Sequence, residues 1–104
     1  MKVAAARYTI EAPASFEAFA RRQRRLLTGV AAEGAQLAVL PEYLSLELAA
    51  SFPAGVASDL AASLAATQAY RARWLALFRE IARETGLIIA AGSFLLDTGA
   101  GRYR

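Results

Sequence analysis

The chain has 104 residues, 57% hydrophobic and 20% charged, with a formal net charge of +3. A chain this short makes one domain at most and buries roughly two thirds of its unfolded surface, and so apolar a composition excludes disorder. With no cysteine and no histidine, disulfides, thiolate or ordinary zinc sites, and Ser-His or Cys-His nucleophilic machinery are excluded within these residues.

The opening "KVAAARYTI" reads as a first strand, rich in small and β-branched residues, which "EAPAS" breaks before a helix. Arg7 interrupts the apolar stretch and no signal-cleavage pattern follows. No segment approaches the ~18 apolar residues of a membrane span, so a cytoplasmic location and no membrane partner are expected.

Ser15 is the expected N-cap of the first helix. From Phe16, apolar residues recur at Phe19, Ala20, Leu26, Leu27, Val30 and Ala31, one stripe at helical spacing. Arg21, Arg22, Arg24 and Arg25 fall away from it and are read as the solvated back of an amphipathic helix. The alternative, a nucleic-acid or anion patch, lacks interleaved aromatic or glycine residues, and no nucleic-acid partner is expected. Gln23 lies within the stripe, so its amide needs a partner or a place at the stripe's edge.

Gly34 ends the helix, and "QLAVL" is a second strand, apolar throughout as a strand covered on both faces is. Two strands flanking one helix make a βαβ unit with parallel strands. After the "PEY" turn, "LSLELAASF" suits a short helix, "PAGVASD" a loop, and a helical region runs from about Asp59 to Thr85, as one helix or two. Its later part carries an apolar face of Tyr70, Trp74, Leu77, Phe78 and Ile81, which is expected in the core. Gly86 closes it, and "LIIAAGSFLL" is a third strand. "DTGAG" turns the chain, and "RYR" reads as the start of a strand hairpin-paired with the third. A strand announced and then cut short suggests the front part of something longer.

One polar residue stands out in this frame. In a parallel α/β sheet, ligands gather beyond the carboxyl ends of the strands, and Glu42 follows Pro41 at such an end. Proline fixes its own backbone angle and biases Leu40 toward an extended conformation, so the carboxylate is presented in a set direction. That suits a general base. A solvated turn glutamate, or one capping the following helix, fits the spacing as well. Tyr43 and Glu47 are possible pocket-lining neighbours, with packing for Tyr43 and solvation for Glu47 as the plainer readings. Ser93 lacks a nucleophile-elbow context, and "TGAGR" resembles a phosphate loop only in its glycines.

The run "GAQLAVLPEYLSLELA" resembles the glutamate-bearing segment of the carbon–nitrogen hydrolase (nitrilase) superfamily, in which an apolar strand ends in Pro-Glu and an aromatic residue. With tyrosine after the glutamate it is most similar to amidase-like members. The flanking strands and helices agree in order over essentially the whole chain, although only the "LPEY" segment is specific. The resemblance implies an α/β fold, the N-terminal part of an αββα sandwich, here with three to four strands and two or three helices. Residues 1–104 would form an incomplete hydrolase domain.

It also implies a Glu-Lys-Cys mechanism on a small amide or nitrile substrate, no cofactor and no metal, and a homo-oligomer in the full-length form. Only the glutamate carries over, as Glu42. The chain has no cysteine, and its single lysine, Lys2, stands where the family has no catalytic group. Two departures blur the subfamily: Arg7 stands where glutamine is common, and Arg104 follows Tyr103 where asparagine often does. The alternative is a non-enzymatic α/β module that binds a ligand or partner and uses Glu42 as a polar anchor.

Overall fold

In the computed structural model, which describes residues 1–100 and 102–104, three parallel strands form one sheet in the order β1-β2-β3. They are β1 (Val3–Ala5), β2 (Leu37–Val39) and β3 (Ile88–Ala90), in register Val3–Leu37–Ile88, Ala4–Ala38–Ile89 and Ala5–Val39–Ala90. The expected strand positions hold, but each ladder is shorter than its apolar run. The hairpin expected at the end is present as backbone pairing of Leu96 with Arg104 and Thr98 with Arg102. Gly101, the last glycine of the "DTGAG" turn, lies outside the described residues.

Helix α1 (Phe16–Ala32) begins where the Ser15 side chain accepts the Ala18 N–H at 3.1 Å. It ends against Gly34, whose φ of 90° is open to glycine at no steric cost. The segment after β2 forms a 3₁₀ helix over Leu44–Ser51, long for its kind. The "PAGVASD" stretch, expected as a loop, contains a short helix α2 (Ala54–Ala57). The region from Asp59 to Thr85 is two helices, α3 (Leu60–Thr67) and α4 (Arg71–Thr85), joined by a 3₁₀ turn over Gln68–Tyr70. Among the described residues, four α-helices therefore stand where two or three were expected. The added ones are short pieces of apolar, alanine-rich sequence whose periodicity is too brief to register as separate elements.

α1 and α4 lie side by side on one face of the sheet. Their apolar faces form the core with the sheet residues beneath them: Phe19 stacks on Trp74 at a centroid distance of 5.5 Å, with Leu27, Ile81 and Ala38 buried around the pair. Arg24 on α1 pairs with Glu80 and Glu84 on α4, and Arg73 on α4 pairs with Glu17, tying the helices across their exposed backs. Nothing among the described residues covers the opposite sheet face. Val3, Val39 and Ile88 are 52%, 38% and 62% exposed. β2, read as a strand covered on both faces, is thus covered on one, and the other carries the exposed apolar face expected of these residues taken alone: strand apolarity shows what a face tolerates, while coverage depends on which elements cross over it. Among the described residues, no helix is long and apolar enough to cross a membrane.

Candidate active site at the carboxyl end of the sheet

β2 is the central strand, and its last ladder contact passes straight into the turn: the Leu40 N–H bonds to the Ala90 carbonyl at 2.9 Å, and Pro41 follows. The turn is held from the β3 side. Gly92, with φ of 74°, sits so close that a Cβ there would lie 2.2 Å from the Pro41 carbonyl oxygen. The Ser93 hydroxyl accepts the Tyr43 N–H at 2.7 Å. Tyr43 is in the left-handed region at φ 60°, and its carbonyl accepts the Leu46 N–H at 2.9 Å to open the 3₁₀ helix. A non-glycine residue held there is uncommon and costs on the order of 1 kcal/mol or more, which the contacts on both sides offset.

Between these fixed points stands Glu42, exposed and without an ion pair or hydrogen bond among the described residues. Tyr43 beside it is half exposed, so the packed position expected for its ring is not the one found. The left-handed turn swings the ring outward, away from the core that Leu44 enters. Ser93 was passed over as a nucleophile. Its hydroxyl serves the turn instead.

A second carboxylate five residues on behaves differently. Glu47 is buried, contrary to the solvated position expected from its place in a short helix. Arg22 donates to both of its oxygens at 3.2 and 3.3 Å, the Tyr8 hydroxyl donates to Oε1 at 2.8 Å, and the Glu11 N–H reaches Oε2 at 3.4 Å. Arg22 also donates to the Thr9 carbonyl at 2.6 Å and lies 4.2 Å over the Tyr8 ring. Since the phenol gives its one proton to Glu47, it can only accept from Gln23, whose Nε2 stands 2.7 Å away. Gln23 thus finds the partner expected of it, though its Oε1 stays buried without one. Burial, reinforced by the hydrogen bond to the Glu47 carboxylate, pushes the Tyr8 phenol well above its ordinary pKa.

Arg22 was assigned to the solvated back of α1 and is instead the centre of this cluster. Four arginines around one glutamine look alike in sequence; only the path of the chain after β1 selects the one that is covered. Glu47 does line a concavity, a polar cleft of about 330 Å³ shared with Glu11, Pro13, Arg21, Arg22 and Arg25. No cluster of three or more His, Cys, Asp or Glu side chains able to hold a metal occurs among the described residues.

The fold and the acid-bearing turn define a mixed α/β protein with a three-stranded parallel sheet covered by helices on one face. No protein-family model, no curated protein and no solved structure matches the chain.

Proposed function

We propose that these residues carry the proton-transfer part of a carbon–nitrogen hydrolase of amidase or nitrilase type, with Glu42 as its general base. The supporting observation is the state of Glu42: a free carboxylate on a turn clamped from the β3 side, at the carboxyl end of the central strand. A general base needs an unoccupied oxygen within reach of its proton; here the backbone that carries the carboxylate is braced, while the side chain itself is exposed and unpaired among the described residues. Glu47, with both oxygens committed to Arg22, does not offer such an oxygen.

In the chemistry that the "LPEY" resemblance suggests, a cysteine thiol passes its proton to the glutamate as sulfur bonds to the amide carbon. The glutamate returns that proton to the departing amine as the C–N bond breaks. It then takes a proton from the water that opens the thioester, and gives it back to the thiolate as the acid leaves. A lysine steadies the negative oxygen in both steps. Lys2 cannot serve, because it stands at the opposite end of the sheet with its ammonium on the Glu33 carbonyl. The nucleophile and the lysine therefore come from outside these 104 residues, and the chain alone is inert toward amides and nitriles.

The test is ammonia release from aliphatic, aromatic and carbamoyl amides and from nitriles, by the product of the complete reading frame. Turnover is expected, and Glu42→Gln lowers kcat by roughly 10²- to 10⁴-fold while leaving the fold intact. Equal turnover by E42Q, or a reading frame without a lysine and a cysteine beyond these residues, overturns the proposal.

A further inference from the structure

The four arginines clustered on α1 fall into two pairs. Arg22 is bound to Glu47, and Arg24 to Glu80 and Glu84. Arg21 and Arg25 are exposed and in no ion pair among the described residues. They stand one helical turn apart, roughly 5–6 Å between Cβ atoms, where like charges repel. Ala18, Arg21, Arg22 and Arg25 share one helix face by their spacing, and that face is not a convex, solvated back. It lines the polar cleft of about 330 Å³, together with Glu11, Pro13 and the buried Glu47. The cleft is built from the loop after β1, from α1 and from the 3₁₀ helix after β2, and no residue of β3 or of the hairpin that follows it contributes to it.

The charges in the cleft do not cancel. Glu47 is matched by Arg22, and Glu11, whose side chain is 61% exposed, lies 3.3 Å from the Arg22 Nε. Two guanidinium groups are left over, each a planar fork of N–H donors suited to oxyanions. A carboxylate has two oxygens and is filled by one fork. A phosphate monoester has three terminal oxygens and close to two negative charges at neutral pH, enough for both forks. The volume falls within the range of small-ligand sites, about 300–1,000 Å³, and Pro13 and Ala18 give the organic part of such an ester an apolar wall.

We propose that the cleft between α1 and the loop after β1 binds a small phosphate monoester, its phosphate clamped by Arg21 and Arg25. Arg22 adds a third positive group that is already held in place, by Glu47, by the Thr9 carbonyl and over the Tyr8 ring. The two clamping arginines close on the ligand, and its charge relieves their mutual repulsion. The inference does not depend on the role of Glu42.

The probe is phenyl phosphate, titrated into the ¹⁵N-labelled chain. Benzoate, inorganic phosphate and the diester methyl phenyl phosphate serve as comparisons. Phenyl phosphate is expected to shift the Nε–H resonances of Arg21 and Arg25 and the Ala18 amide. It should bind roughly tenfold more tightly than benzoate or the diester, each of which carries a single charge, and more tightly than inorganic phosphate, which lacks the organic part. The double variant Arg21→Gln with Arg25→Gln, at two exposed positions, should lower the affinity for phenyl phosphate about tenfold or more with an unchanged circular dichroism spectrum. Glu11→Gln, which removes a negative charge from the cleft, should raise that affinity. Binding of phenyl phosphate no tighter than that of any comparison compound, unmoved Arg21 and Arg25 resonances, or an undiminished affinity in the double variant overturns the proposal.

Discussion

Glu42 and Glu47 are five positions apart, and their opposite environments follow from what reaches each of them. The side chain of Glu47 points beneath the loop that leaves β1, where Arg22, Tyr8 and the Glu11 N–H saturate it. Removing one partner of a buried ion pair strands the other, so Glu47→Ala should cost about 3 kcal/mol in urea unfolding. Glu47→Gln, which keeps an acceptor for Tyr8, should cost less. Loss below 1 kcal/mol would mean that the cluster is open to water. Tyr8 adds a pH dependence. Its phenol is raised above the ordinary value of 10.0, so above that pH the unfolded chain holds fewer protons than the folded one and stability falls as pH rises. The contribution is fully present below pH 10.0 and is lost toward the folded-state value. In Tyr8→Phe the alkaline decline of the thermal midpoint should be shallower than in the parent.

At the scale of elements, the turn after β2 is set by its neighbours more than by its own residues. Proline fixes one angle, but the left-handed Tyr43 persists because Ser93 accepts its N–H, and Gly92, having no Cβ, lets the Pro41 carbonyl come close. Two glycines separate conformation from contact. Gly86 and Gly92 have nearly the same φ, 73° and 74°, yet a Cβ at Gly86 meets open space while one at Gly92 meets the Pro41 carbonyl. Gly86→Ala should therefore cost on the order of 1 kcal/mol, the left-handed penalty alone. Gly92→Ala should cost clearly more and shift the amide resonances of residues 41–43. Equal costs would show that the clamp yields. The 3₁₀ helix over Leu44–Ser51 is explained in the same way, since Leu44, Leu48 and Glu47 are drawn inward together and hold a tighter coil than the sequence asks for.

For the whole molecule, the asymmetry of the sheet is the governing feature. α1 and α4 share one face and nothing among the described residues covers the other, so Val3, Val39 and Ile88 present an apolar patch to solvent. Such patches promote association. Ile88→Lys replaces a side chain that is 62% exposed. It should leave the unfolding midpoint nearly unchanged, within about 0.5 kcal/mol, while reducing dye binding and concentration-dependent association. A large loss of stability would mean that Ile88 is buried in solution.

Much was legible from the order of residues alone. Period-3.6 stripes gave α1 and α4, Ser15 and Gly34 marked the ends of α1, and three apolar runs marked parallel strands, because these signals act between residues close in the chain. The position of Glu42 at a strand end was equally readable, from one proline after an apolar run. Which arginine of four is covered, why Glu47 is buried, and how Gly92 and Ser93 brace a turn fifty residues away were decided only in three dimensions. Those contacts join segments that no local period connects, and burial of a charge is settled by the partners that fold around it.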